Sequence, residues 1–238
     1  MKKSAKLLLL IIIIASLCGI AAGVYDSSCY SAVGVEAYLK DGDKVKVSRI
    51  REGYFFDGEG KDKALIFYPG AKVKEVSYAP IMYALAEQGI DCFIVRMPLK
   101  MAFLNKDKAD RILKKYKYES YYLAGHSLGG AMAANYCARH KSDYKGLFLL
   151  AAYPSEDLSK VKFPVYFIYG ENDGVLNRKK LEKGFGLAPK NSQTIIIAGG
   201  NHAYFGSYKE QKDDGKATIT PEEQQNITVD TIATSINE

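Results

Sequence analysis

Three hydrophobic patterns succeed one another along the 238-residue chain. The first is an unbroken apolar run from Leu7 to Ile14, prolonged through Ala15 and Leu17 to Ala22, with polar chain beginning only at Tyr25-Asp26. The second is an alternation at Val45, Val47 and Ile50, followed by Tyr54-Phe55-Phe56, which predicts an antiparallel hairpin at a sheet edge. The third begins at Lys63. Short continuous apolar runs at 64–68, 92–95, 121–124, 146–152, 165–169 and 194–198 read as strands buried on both faces. Between them lie segments of helical period at 78–88, 107–116, 128–138 and 177–183. Gly89 and Gly184 stand where C-caps belong, and Pro221 opens a final helix, a position proline favours. Residues 27–43 carry no clear period and read as a short helix or linker.

Strand and helix thus alternate from Lys63 onward. That order predicts an α/β fold: a doubly wound, mostly parallel sheet with helices on both faces. Ligands in such sheets bind beyond the carboxyl ends of strands, so functional residues are expected directly after strands.

The charge pattern refines the reading of the N-terminus. Three of the cationic side chains, Lys2, Lys3 and Lys6, precede the apolar run, the layout of a secretory signal. Lysines favour the cytoplasmic side, so the chain beyond the run is expected outside the cytoplasm. From Leu7 to Val24 the run is about 18 residues, the lower edge of what spans a bilayer. It therefore suits an anchor as well as a cleaved leader. The expected division is 1–25 as signal or anchor and 26–238 as the folded domain. Leu17 occupies the place where a lipoprotein signal has a small residue, which argues against lipid attachment at Cys18. The formal charge is +6, but no arginine-rich stripe interleaves with aromatics, so nucleic acid is not an expected partner. Of the four cysteines, Cys92 and Cys137 fall in apolar segments and read as buried. Their spacing with Cys18 and Cys29 matches neither a disulfide framework nor a zinc site.

Gly125-His126-Ser127-Leu128-Gly129 lies between a predicted strand and a predicted helix. This is the strand–turn–helix setting that G-x-S-x-G requires to expose a nucleophilic serine. A serine hydroxyl needs a base, and the chain has three histidines, His126, His140 and His202. His126 sits inside the turn, where its ring is expected to point away from the serine oxygen. His140 lies about 20 Å further along the helix and is expected to face solvent. His202 follows the last strand, at the same sheet edge as Ser127, and is the base by elimination. The acid that holds its tautomer should fall between them in this fold's chain order. Asp173 in Gly170-Glu171-Asn172-Asp173-Gly174 is the candidate, with Glu171 as its rival. The oxyanion donors are expected to be the backbone N–H of Leu128 and that of Ala71, in the turn Pro69-Gly70-Ala71.

The segments F-Y-P-G-A-K-V, V-R-M-P-L, L-A-G-H-S-L-G-G-A-M-A, Y-G-E-N-D-G-V and G-G-N-H-A-Y-F-G resemble the alpha/beta-hydrolase superfamily, and more narrowly its small bacterial fold-5 group. The resemblance covers Ala64 to Phe205. It implies the doubly wound fold, carries the triad onto Ser127, Asp173 and His202, and makes ester cleavage the expected chemistry. Many members of the group share an apolar N-terminal anchor. Its substrates are mostly unassigned.

Larger relatives insert a cap where this chain has only residues 153–164, so an open site is expected, suited to short acyl esters or acyl groups on a polymer. Tyr153, Met97 and Phe205 follow strands on the same edge and are either pocket or packing residues. No cofactor or metal is expected, since the chain lacks H-E-x-x-H, clustered Cys/His pairs and G-x-G-x-x-G. Asn226-Ile227-Thr228 fits a glycosylation acceptor by chance. The same fold also serves non-catalytic binding proteins and acyltransferases, which remain the alternative readings.

Overall fold

The computed structural model describes residues 3–141 and 143–238. The chain divides into two units, residues 1–30 and residues 31–238. The first holds α1 (Lys3–Ser27), whose stretch Lys6–Ser27 is long and apolar enough to cross a membrane.

The second unit is an eight-stranded sheet in the order β1-β2-β4-β3-β5-β6-β7-β8. The antiparallel hairpin β1 (Lys46–Ile50) and β2 (Gly53–Asp57) forms one edge, and β2 runs antiparallel to β4 (Asp91–Val95). All remaining pairs are parallel: β4 with β3 (Lys63–Tyr68), then β5 (Ser120–His126), β6 (Gly146–Leu150), β7 (Val165–Gly170) and β8 (Gln193–Ile197). The central strands β4 and β6 are buried at every position, which is why they read as continuous apolar runs rather than alternating ones. Crossover helices α2 (Ala79–Glu87), α3 (Ala109–Lys115), α4 (Leu128–Cys137) and α5 (Arg178–Phe185), with the terminal α6 (Pro221–Asn237), connect and cover it. Residues such as Ile66, Phe93, Leu123, Leu147 and Phe167 form the core on the side of α4. Because β5 to β8 are parallel, the segments carrying Ser127, Asp173 and His202 leave the sheet at one edge.

Several boundaries differ from the sequence expectation, each for a local reason. Residues 106–108 form a 3-10 turn with Asp107 at ψ 18°, so α3 begins at Ala109 rather than at 107. β6 stops at Leu150, because Ala151 takes a positive φ of 48° while its N–H stays tied to Ile168 O at 2.7 Å. Gly184 does not end its helix, since α5 continues to Phe185. A Cβ on Gly184 would sit 2.9 Å from Tyr153 Cβ and 3.1 Å from Pro154 Cδ, so the glycine serves close packing there. His140 is not free in solvent. Its ring stacks on Tyr136 with centroids 3.9 Å apart, and Nδ1 lies 3.0 Å from Tyr136 O. Cys92 and Cys137 are buried, with burial raising both thiols above their ordinary pKa.

α6 is begun by a full capping box: Thr220 Oγ1 accepts the Glu223 N–H, and Glu223 returns its carboxylate to the Thr220 N–H. This fixed start directs Gln224 and Thr228 inward, both fully buried.

Candidate active site

Ser127 is the hinge between β5 and α4. Its backbone sits at φ 53°, ψ −124°, a conformation that costs about 1–3 kcal/mol for a residue with a side chain. Neighbouring structure holds it there: its N–H donates to Leu150 O at 2.9 Å, and its carbonyl accepts from Ala131 N at 3.1 Å. A Cβ on Gly129 would lie 2.2 Å from Tyr68 O and 2.3 Å from Pro69 O. The end of β3 therefore rests directly on the first turn of α4, bringing the turn Pro69-Gly70-Ala71 to the same corner. Leu128 is the first helical residue, so its N–H has no intrahelical acceptor. The Gly70 carbonyl accepts from Val73 N at 3.3 Å. In a trans peptide the N–H opposes its C=O, so this bond orients the Ala71 N–H out of the turn.

His202 and Asp173 lie in the loops after β8 and β7. His202 Nδ1 is 2.9 Å from Asp173 Oδ2, and both side chains are shut off from solvent. The other carboxylate oxygen, Oδ1, accepts the N–H groups of Val175 (2.9 Å) and Leu176 (2.8 Å). Asp173 is thereby oriented by its own loop, and it holds the proton of His202 on Nδ1. Nε2 is left as the imidazole's acceptor; it is buried and makes no hydrogen bond among the described residues. His202 lines a cavity of about 240 Å³ together with Ser127, Leu128, Ala131, Ala151, Ala152, Tyr153, Val175, Leu176 and Asn177. Among the described residues no hydrogen bond joins Ser127 to His202; bonds of this kind commonly tighten only around a substrate.

Glu171, the rival acid, accepts the Gly199 N–H at 3.0 Å instead and does not meet His202. Of the three aromatic or sulfur candidates, Tyr153 lines the cavity, while Met97 and Phe205 are buried packing residues. Phe205 lies against His126, ring centroids 5.7 Å apart.

Several residues with no signature in the sequence hold the loops. Asp214 Oδ1 accepts the N–H groups of Gly174, His202 and Gly215, and its Oδ2 accepts that of Ala203. One carboxylate thus ties the loop of Asp173 to that of His202. Gln224 holds Asn201 from α6, and the Asn201 amide in turn bonds Gly215 O and Tyr204 N. Asp214 lies in a polar stretch with no pattern, and Gln224 is a polar residue in an amphipathic helix; only the fold places them here. His126 is also buried and enters the network through Tyr78 and the His202 carbonyl. Burial, and next the neighbouring His202, push its pKa well below the ordinary 6.5.

The sequence profile of the alpha/beta hydrolase family matches residues 64–226. The chain belongs to the alpha/beta hydrolase family. The matching profile is that of the fold-5 group, the group its motifs resemble. No curated protein sequence matches. Solved structures of the same fold include MGS-MChE2, an alpha/beta hydrolase enzyme from a lagoon-sediment metagenome of Mar Chica, Morocco. It is 20% identical, with TM-score 0.58 over 80% of this chain and 98% of that one. The esterase domain of a Rhodothermus marinus protein is 14% identical, with TM-score 0.59 over 81% and 97%. Est1E from Butyrivibrio proteoclasticus is 13% identical, with TM-score 0.55 over 82% and 100%. At these identities the likeness is one of fold. It places this family member among hydrolase architectures without naming its substrate.

Proposed function

We propose that the protein is a serine hydrolase that cleaves small or polymer-borne acyl esters through an acyl-enzyme. The observation that carries this reading is the Asp173–His202 pair at 2.9 Å, with His202 Nε2 unbonded and His202 and Ser127 lining the same cavity. Nε2 takes the Ser127 proton as Oγ attacks the ester carbonyl. The oxyanion that forms is held by the N–H groups of Leu128 and Ala71, and Asp173 stabilises the imidazolium. His202 then gives the proton to the departing alcohol, leaving Ser127 acylated. Water, deprotonated by the same nitrogen, releases the acid and restores the serine. The cavity, about 240 Å³, is below the roughly 300–1,000 Å³ of pockets for drug-sized ligands. Its Ala131, Ala151, Ala152, Val175 and Leu176 walls suit a short acyl chain. α1 supports a reading in which the hydrolase works outside the cytoplasm, tethered to the membrane or released from it.

Fluorophosphonate labelling of the full chain in mild detergent tests the proposal, beside Ser127→Ala and His202→Ala. Label on the parent alone supports an activated serine and directs a screen of p-nitrophenyl esters of graded length. A folded parent that takes no label overturns the reading in favour of a non-catalytic binding protein.

A further inference from the structure

A buried chain of hydrogen bonds runs beneath the candidate site from the oxyanion turn to the base. The Gly70 N–H lies 3.1 Å from Tyr78 Oη, and Tyr78 Oη lies 2.8 Å from His126 Nδ1. His126 Nε2 lies 3.0 Å from the His202 carbonyl oxygen. The direction of every proton follows from the two ends. A carbonyl only accepts, so His126 carries its proton on Nε2 and gives it to His202. Nδ1 is then a bare acceptor and takes the Tyr78 hydroxyl proton. The Tyr78 oxygen, its proton spent, accepts the Gly70 N–H. Each donor has one acceptor, and no other tautomer of His126 satisfies all three bonds.

Packing makes the chain rigid. Tyr78 is fully buried and His126 nearly so. A Cβ on Gly70 would meet His126 Nδ1 at 2.8 Å and Tyr78 Oη at 2.9 Å, so the glycine of Pro69-Gly70-Ala71 makes room for this pair. Phe67 and Phe205 close over the two rings, with centroids 4.6 and 5.7 Å away.

We propose that Tyr78 and His126 are positioning residues, which fix the peptide leading into the Ala71 donor and the backbone of His202 as one unit, so that the oxyanion donor and the base keep a set separation through the reaction. The inference rests on the hydrolase reading above. Neither residue reaches the cavity, so they act through Gly70 and His202 and not on substrate. Burial keeps the Tyr78 phenol well above its ordinary pKa of 10, which preserves its proton for His126. A neutral His126 also adds no second positive charge beside the His202 imidazolium, whose ring is 4.7 Å away.

Tyr78→Phe and His126→Leu cut the same link, the former by removing the hydroxyl and the latter by removing both ring nitrogens. On the full chain in detergent, with p-nitrophenyl acetate as substrate, each is expected to lower kcat at least about 10-fold. Neither is expected to exceed the roughly 1,000-fold cost of losing an oxyanion donor outright. KM should stay close to the parent's, and binding of phenylboronic acid, which forms a tetrahedral serine adduct, should weaken in step with kcat. The double variant should be no worse than either single one, because the link is already broken. The imidazole ¹⁵N spectrum of the parent should show His126 protonated on Nε2 alone. Folded variants with parental kcat, or additive losses in the double variant, overturn the inference; a melting temperature that falls with kcat unchanged does the same. If the parent takes the fluorophosphonate while Tyr78→Phe keeps its turnover, only this inference falls. A parent that takes no probe overturns both readings.

Discussion

Gln224 holds the backbone of Asn201 as a neighbouring strand would: its Oε1 accepts the Asn201 N–H and its Nε2 donates to the Asn201 carbonyl, both at 2.9 Å. The residue so held immediately precedes His202. Gln224 is fully buried on α6, where it is anchored by the capping box at Thr220. Its removal leaves two buried backbone groups without partners, each costing about 1–3 kcal/mol. Gln224→Ala is therefore expected to lower the urea unfolding midpoint clearly and, on the proposed mechanism, to reduce kcat per folded molecule, because the His202 loop loses its strut. Chemical denaturation together with active-site titration checks both. An unchanged midpoint would show that the loop does not depend on α6.

Asp214 joins the loop of Asp173 to the loop of His202. Its four backbone acceptor contacts span Gly174, His202, Ala203 and Gly215. Asp214→Asn preserves the shape and the three bonds at one oxygen, but turns an amide N–H₂ toward the Ala203 N–H. Two donors then face each other. The expected cost is about 1–3 kcal/mol of stability, with kcat falling more than KM rises, since the loops rather than the cavity are disturbed. Steady-state kinetics on p-nitrophenyl acetate measures that split, and a change confined to KM would contradict it.

The uneven legibility of the site has a physical origin. Ser127 announces itself because its positive φ and the close approach of Gly129 to β3 demand small residues around it, and that demand is written in contiguous sequence. His202 is legible as a candidate because the chain has three histidines and the other two are unsuited by position. The sequence favours Asp173, beside Gly174, over its neighbour Glu171, but spacing alone leaves Glu171 as a rival. What separates them is which carboxylate the loop aims at the imidazole, a consequence of the Val175 and Leu176 N–H groups closing on Asp173. Asp214, Gln224 and Tyr78 left no trace, because their partners are backbone groups brought from distant positions, and backbone carries no sequence signal. In the fold, buried strands were visible as apolar runs. Helix ends were less so: Gly184 looked like a stop but is a packing contact with Tyr153 and Pro154.

His126 makes stability depend on pH in a definite direction. In the folded protein it is held neutral well below its ordinary pKa of 6.5, first by burial and then by His202; Tyr78 is the other titratable group facing it. The unfolded chain accepts the proton near 6.5 and the folded chain resists it. Below that pH the unfolded state binds more protons, so stability falls as pH falls, by up to about 1.4 kcal/mol per pH unit for this one group. Above it the penalty vanishes. Urea midpoints measured from pH 7.5 to 5 should therefore drop more steeply for the parent than for His126→Gln. Parallel slopes would show that His126 takes up its proton in the folded state.

The choice between the two acidic candidates yields the sharpest kinetic contrast. Asp173→Asn keeps an oxygen for the Val175 and Leu176 N–H groups but presents an amide donor to His202 Nδ1. The imidazole must then carry its proton on Nε2, the nitrogen left without a partner, and it can no longer accept the serine proton. A loss of about 10⁴-fold in kcat is the expected scale for a wrong tautomer with intact geometry. Glu171→Gln keeps the oxygen that accepts the Gly199 N–H and touches nothing in the cavity. Its activity should remain within about 2-fold of the parent, the range of a mild surface substitution. Fluorophosphonate labelling rates for the two variants, measured side by side, decide the matter. Slow labelling of Asp173→Asn with parental labelling of Glu171→Gln assigns the acid to Asp173, and the reverse pattern would move it to Glu171 and require the loop after β7 to rearrange on binding.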